Sequence, residues 1–195
     1  MYEVIGSRAS RAFRVLWMLE ELGVSYTHTP AMPHSKNVTA TNPSGKIPVL
    51  IEGNTAFTDS VAIMTYLGDK YDALTFPAGS IQRARQDGLT CQINDEIDAL
   101  LWMAAKHTFV LPEKQRQPEI KEPLKWEYKR SILRLSDKLE GPFLMGQKMT
   151  IPDLVLCHCL RWAEMAKFPA SGEKLQAYRE ALERREALAR TAALP

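Results

Sequence analysis

Residues 42–67, NPSGKIPVLIEGNTAFTDSVAIMTYL, constrain the fold of this chain more than any other stretch. Asn42-Pro43-Ser44-Gly45 is turn chemistry, with a short side chain that bonds its own backbone, a preset φ and a glycine in sequence. Pro48 then opens the apolar run Val49-Leu50-Ile51. Proline is tolerated at the first residue of a strand because no ladder hydrogen bond is lost there. Gly53-Asn54 predicts a two-residue hairpin turn, with Thr55 to Phe57 returning as the paired strand. Asp59 and Ser60 stand where a helix through Val61-Ala62-Ile63-Met64 has to begin.

That layout leaves two binding surfaces side by side. The backbone of Ile47, just ahead of Pro48, offers an N–H and a C=O to an extended peptide. The first turn of the Ser60 helix has orphan N–H groups and a positive dipole end, which suit a carboxylate. A small, anionic, peptide-like ligand fits both.

Upstream, Tyr2 to Ile5 reads as a strand ended by Gly6-Ser7, and Ser10 as the cap of a helix over Arg11 to Leu22, with Phe13, Leu16, Trp17 and Leu19 at helical spacing. Gly23 stops that helix, and Val24 to His28 is a second strand. The opening is therefore β-α-β, with a right-handed crossover. Thr29 to Thr41 is polar with two prolines and predicts an irregular loop with about one helical turn. Residues 1–73 form an α/β domain, and 74–79, around Pro77 and Gly79, form a linker. Residues 80–195 form an all-helical domain.

In the helical domain Ser80 caps a long helix to about Val110, with Ile81, Ile93, Ile97, Leu100, Leu101 and Ala104 as its core stripe. Pro112 to Pro123 is a loop or frayed segment. Tyr128, Ile132, Leu135 and Leu139 define the next helix, ended by Gly141-Pro142. Thr150-Ile151-Pro152-Asp153 is a capping box, and the apolar Leu154 to Ala166 behind it predicts a buried helix. His158 within it reads as a core histidine. Glu173 to Leu188 predicts one amphipathic helix with Leu175, Tyr178 and Leu182 inward and its charges on a solvated face.

Composition excludes several classes. At 195 residues, 45% hydrophobic and 25% charged, the chain has the make-up of a globular protein large enough for a core without staples. A net charge of +2 without a polybasic run gives no footprint for nucleic acid. No apolar stretch is long enough to span a bilayer. Met1 leads straight into the first strand with no signal peptide, so the expected compartment is the cytoplasm. Cys91, Cys157 and Cys159 are odd in number and lack metal-type spacing, which predicts reduced thiols packed as small hydrophobes and no metal site.

The N-P-x-G-x-[VI]-P-x-L pattern at Asn42, Pro43, Gly45, Ile47, Pro48 and Leu50, followed by Asp59-Ser60, resembles the cytosolic glutathione transferases. So does the order β-α-β-(α)-β-β-α with helices behind it. The usual acid before the serine is Glu, and this chain has Asp59. Met145-Gly146 and Thr150-Ile151-Pro152-Asp153 resemble the family's C-terminal folding signal, with Pro152 in place of the common Ala. Ser10-Arg11-Ala12-Phe13-Arg14-Val15-Leu16-Trp17 is similar to a serine-type bacterial and fungal branch. Ser7-x-x-Ser10-Arg11-Ala12 resembles the theta-like S-x-x-S-R-A, whose first serine is catalytic.

The resemblance implies a thioredoxin-like N-terminal domain, an all-α C-terminal domain, a cis Pro48, a homodimer, a role in detoxification, and glutathione as co-substrate without a metal. It assigns Ile47 to main-chain pairing with the cysteinyl unit, and Asp59 and Ser60 to the γ-glutamyl end. Lys46 and His34 are candidates for the glycyl carboxylate. Trp102, Met103, Lys106 and His107 are candidates for a hydrophobic electrophile. A thiol is a poor nucleophile until ionised, so a hydroxyl donor and a positive field must favour the thiolate. Ser10 is the first candidate, at the helix start, and Ser7 the second. Tyr2, at the start of its strand, is a poor one. Three functions share this pattern: conjugation of glutathione to an electrophile, glutathione-dependent peroxide reduction or isomerisation, and a non-catalytic binding module.

Overall fold

The computed structural model describes residues 1–195. Grouped by their contacts, 1–78 and 181–195 make one compact unit and 79–180 the other. Residues 181–195 thus pack with the opening segment, whereas the sequence reading carries the helical domain through to 195.

The first unit is a four-stranded mixed sheet in the order β2-β1-β3-β4. The strands are β1 (Tyr2–Ile5), β2 (Tyr26–Thr29), β3 (Val49–Glu52) and β4 (Thr55–Thr58). The β1–β2 pair is parallel across the helix α1 (Ala12–Leu22), while β3 runs antiparallel to both β1 and β4. Gly53-Asn54 forms the predicted hairpin turn between β3 and β4. The helical turn expected within the loop over 29–41 forms as a six-residue helix, α2 (Lys36–Thr41), at its C-terminal end. It buries only Val38, so no apolar period announced it. The second strand starts two residues later than expected, because Val24 still donates its N–H to the Leu19 carbonyl and closes the end of α1.

Ala12 through Leu19 are all buried, although only one face of α1 can look at the sheet. A helix buried all round needs cover on its remaining faces. That cover comes from α3 (Ser60–Tyr71) and from α9 (Glu186–Ala193), whose Ala187, Leu188 and Thr191 are buried. The expected single helix over 173–188 is broken at Arg184-Arg185 into α8 (Glu173–Glu183) and α9. Its charges are not simply solvated. Arg185 makes a two-pronged pair with Glu21, at 2.6 and 2.7 Å, and Arg190 bonds Glu20 at 2.6 Å.

The second unit is helical. Ser80 caps α4 (Ile81–Ile93) by accepting the Arg83 N–H at 3.1 Å. The helical path continues through a π-helical turn (Asn94–Asp98), α5 (Ala99–Ala105) and a second π-helical turn (Lys106–Val110). Ile93, Ile97, Leu100, Leu101 and Ala104 are buried as expected, but Ile81, on the first turn, is exposed. The Pro112–Pro123 region holds two short 3₁₀ turns before α6 (Lys121–Asp137), with Tyr128, Ile132 and Leu135 inward.

The capping box forms at the head of α7 (Ile151–Met165), where the Thr150 N–H donates to Asp153 Oδ2 at 2.8 Å. Asp153 is fully buried and also accepts from the Leu144 N–H at 2.8 Å and the Tyr178 hydroxyl at 2.7 Å. Burial pushes its carboxyl up, while these donors favour the carboxylate. Leu175, Tyr178 and Leu182 are buried. Cys157 and Cys159 are packed in α7, but Cys91 is exposed, because its position on α4 faces away from the buried stripe. His158 is only half-buried, edge-on to Trp162 at 6.2 Å. No helix is long and apolar enough to cross a membrane.

Candidate functional site

Strand register brings the sequence candidates to one end of the sheet. Ile5 pairs with Val49, and Val49 pairs with Thr58. One step further along each strand lie Gly6-Ser7, Pro48-Ile47 and Asp59-Ser60. Neighbouring strands lie about 4.8 Å apart, so three strand ends span roughly 10 Å, the length of an extended tripeptide.

Gly6 joins these parts. Its φ of +148° is a conformation that side-chain-bearing residues avoid. A Cβ built there would lie 3.0 Å from the Ala12 Cβ and 3.1 Å from the Ile47 Cβ. The head of α1, the loop after β1 and the segment ahead of β3 are therefore in contact at a point where only hydrogen fits. The Gly6 N–H donates to the Thr29 carbonyl at 3.0 Å, tying the loop to β2.

The two serines of that loop differ in their commitments. Ser10 Oγ donates to the Ser7 carbonyl at 2.6 Å and accepts the Ala12 N–H at 3.1 Å. It holds the turn and starts α1. Ser7 Oγ accepts the Ala9 N–H at 3.2 Å, and its own proton has no partner within the protein. Tyr2 lies at the opposite end of β1, opposite Glu52, buried against Tyr71, and burial pushes its phenol up to about 12.

Ahead of β3, the Asn42 side chain builds the turn. Its Oδ1 accepts from the Ser44 N–H at 3.2 Å and the Ser44 hydroxyl at 2.9 Å, and its Nδ2 donates to the Lys46 carbonyl at 2.8 Å. The Ile47–Pro48 peptide is cis, as expected. Neither the N–H nor the C=O of Ile47 is hydrogen-bonded within the protein. His34 and Lys46 are exposed. The His34 ring rests on the backbone face of Gly45, and the His34 backbone N–H donates to the Gly45 carbonyl at 2.8 Å.

At the head of α3, Asp59 is itself the cap. Its Oδ1 accepts from the Val61 and Ala62 N–H groups, at 2.9 and 3.1 Å, with φ at +70°. The carboxylate occupies helix donors that the sequence left open for a ligand, so Oδ2, the Ser60 hydroxyl and the Ser60 N–H remain. Ser60 is 2% exposed, yet its hydroxyl has no partner within the protein.

Trp102, Met103, Lys106 and His107 lie in the second unit, on α5 and the π-helical turn after it. Met103 is exposed, and the other three are half-buried. His107 Nδ1 accepts the Gln117 N–H at 3.0 Å. That fixes the neutral tautomer with its proton on Nε2.

A mixed four-stranded α/β unit with a cis-proline turn, followed by a helical unit, defines a thioredoxin-like domain joined to an all-helical one. A profile of the glutathione S-transferase N-terminal domain matches residues 4–75, and one of the glutathione S-transferase C-terminal domain matches residues 97–186. The chain belongs to the glutathione S-transferase family.

The glutathione S-transferase GstA of Escherichia coli O157:H7 is 29% identical over 140 residues, a match covering 68% of this chain and 65% of that protein. The chain thus spans just under two thirds of that relative. A glutathione transferase structure from Methylococcus capsulatus strain Bath superposes with a TM-score of 0.86 at 23% identity, covering 98% of this chain and 97% of that one. The glutathione transferase URE2P6 of Phanerochaete chrysosporium, in complex with oxidized glutathione, gives 0.81 at 23% identity, covering 98% and 94%. At these identities the structural likeness speaks for the fold.

Proposed function

We propose that this protein binds glutathione across the three strand ends and transfers its thiolate to a hydrophobic electrophile, as a serine-type transferase. The observation that carries the reading is the set of uncommitted groups in one place: the Ser7 proton, both main-chain groups of Ile47, and the buried Ser60 hydroxyl. Each suits a different part of the tripeptide. The cysteinyl unit pairs with the Ile47 backbone like an added strand. The γ-glutamyl carboxylate takes the Ser60 hydroxyl and N–H, and its ammonium faces Asp59 Oδ2. His34 and Lys46 are the groups proposed for the glycyl carboxylate.

Sequence similarity puts Ser10 first as the thiolate's donor, but its hydrogen bonds support Ser7. Ser10 would have to leave the Ser7 carbonyl to donate, whereas the Ser7 proton is free. Lowering a thiol pKa by about 2 units corresponds to about 2.7 kcal/mol, and a hydrogen bond to an anion contributes about 1.5–3 kcal/mol. One serine with a helix N-terminus beside it suffices in magnitude. Trp102, Met103, Lys106 and His107 are proposed for contact with the electrophile, with a homodimer as the working assembly and the cytoplasm as the compartment.

The test is an ultraviolet titration of the thiolate of bound glutathione in the wild type, Ser7→Ala and Ser10→Ala. The wild type is expected to show a bound thiol pKa well below the free value of about 8.5. Ser7→Ala is expected to lose most of that shift. Ser10→Ala is expected to keep part of it and to lower the melting temperature. An unshifted thiol in the wild type leaves a binding module. A shift lost only in Ser10→Ala reverses the assignment of the two serines.

A further inference from the structure

We infer that α9 positions the Ser7–Ser10 loop, with Arg8 as the positioning residue that transmits the contact. This inference rests on the serine reading above for its catalytic consequence, though not for the contact itself. Arg8 sits between the two serines in the loop, and its guanidinium donates to the Ala192 carbonyl at 2.5 Å. That carbonyl belongs to the last turn of α9, where helix carbonyls lack intrahelical partners and the dipole end is negative, so a cation is doubly favoured there.

The anchor for this contact is built in. Thr191 is fully buried, and its hydroxyl donates to the Ala187 carbonyl at 2.8 Å. Ala187 and Leu188 are buried beside it. Glu21, only 7% exposed at its side chain, receives Arg185 on both oxygens and the Trp17 indole N–H at 2.9 Å. Glu20 receives Arg190 and the Tyr26 hydroxyl, at 2.6 and 2.7 Å. Helix α9 is therefore held on α1 at its N-terminal end by Arg185 and near its carbonyl end by Arg190, not by Arg8 alone. Two-pronged guanidinium–carboxylate pairs carry geometric specificity as well as energy.

The loop has few other restraints on its outer side. Its inner end is fixed at Gly6, by the Thr29 carbonyl and by His28, whose Nε2 lies 2.9 Å from the Gly6 carbonyl. A carbonyl only accepts, so His28 Nε2 carries the proton there. Its far end is fixed by the bond from Ser10 to Ser7. Between them, Arg8 and Ala9 are exposed, and the Arg8 bond to α9 is the long-range tie at that point. Misplacing a donor by about 1 Å is enough to cost much of its contribution in a reacting complex. Distance from the thiol thus does not remove α9 from the chemistry.

The experiment uses the full chain as wild type, Arg8→Ala, Arg8→Lys and Arg185→Ala/Arg190→Ala, with two readouts. Amide hydrogen exchange of the peptide covering residues 7–11 reports the tie, whatever the protein catalyses. The pH profile of kcat/KM for glutathione reports the position of the thiolate donor. Exchange in 7–11 is expected to quicken about five-fold or more in Arg8→Ala and in the double variant, with Arg8→Lys restoring at least half of the protection. The acid limb of kcat/KM is expected to move up by half a pH unit or more, with KM for glutathione within two-fold. A loop whose exchange is the same in all four proteins overturns the inference. A loosened loop with an unmoved pH profile also overturns it, reducing the contact to a structural clasp. If the wild type does not activate glutathione, the serine reading fails and the exchange readout alone decides whether α9 holds the loop.

Discussion

Replacing Gly6 by alanine tests whether the three strand ends form one site. The new methyl group would lie 3.0 Å from the Ala12 Cβ and 3.1 Å from the Ile47 Cβ, closer than Cβ contacts ordinarily run, and both neighbours sit on backbone that cannot swing aside. The backbone also holds φ at +148°. Two costs follow. A conformation this sparsely populated costs about 1–3 kcal/mol for a side-chain-bearing residue, and overpacking costs about 1–3 kcal/mol more.

Gly53→Ala separates the two. Gly53 has φ +57° in the β3–β4 turn, and nothing lies within 4 Å of an added Cβ, so it carries only the milder left-handed cost of about 1–2 kcal/mol and no overpacking. For a chain of this size about 1 kcal/mol moves the melting temperature by about 2–4 °C. Gly53→Ala is expected to lower it by a few degrees and Gly6→Ala by about 4–24 °C. Isothermal titration with glutathione is the second assay. Gly6→Ala is expected to weaken binding ten-fold or more, because Ile47 and the serine loop are pushed apart, and Gly53→Ala is expected to leave it unchanged. If both variants melt together and bind glutathione equally, the contact at Gly6 is not what assembles the site.

Three further outcomes follow from the same structure. Ser60→Ala is expected to weaken glutathione binding about ten-fold, equivalent to about 1.4 kcal/mol, with the melting temperature held, since the hydroxyl serves no partner in the protein; calorimetry reads both. Asp59→Asn keeps a good helix cap but removes the charge, so titration should show weaker binding of glutathione, and less loss for an analogue lacking the γ-glutamyl amine, at unchanged stability. Burial works to raise the Glu20 carboxyl, but Arg190 and Tyr26 overcome it and hold it below its ordinary value. A depressed carboxylate contributes stability above its unfolded pKa and loses it as pH falls through the folded one. An acid titration of the melting temperature should therefore be steeper for the wild type than for Glu20→Gln below the ordinary carboxylate range.

The legible parts of this chain are those whose causes are local. Turn residues at 42–45, a strand-opening proline, the Gly53-Asn54 turn and the Thr150–Asp153 box each act within a few residues, and each formed where its chemistry said. The helical core stripe was legible from Ile93 onward because its period repeats. Ile81 failed because a first helical turn can point outward whatever its residue. What was not legible depends on distant partners. Nothing near Arg185 or Arg190 indicates Glu21 or Glu20, which lie more than 160 residues away. Nothing near Cys91 shows which face of α4 is covered. At the site, residue types could nominate both serines, but only the hydrogen bonds show that the Ser10 proton is committed to the turn and the Ser7 proton is not. Asp59 stands where a helix begins, so a cap was legible there, but its positive φ and its hold on both the Val61 and Ala62 N–H groups were not.

The joining of residues 1–78 with 181–195 has a consequence for biosynthesis. When the first 78 residues have left the ribosome, the surface of α1 that α9 covers is still bare. At about 5–20 residues per second, the 79–180 stretch takes roughly 5–20 s to emerge. Through that interval the apolar back of α1 and the acidic pair Glu20-Glu21 face solvent or a chaperone. The 1–78 segment is thus completed only after 79–180 has been made, and a ribosome stalled anywhere before residue 181 leaves a nascent chain with that surface unsealed.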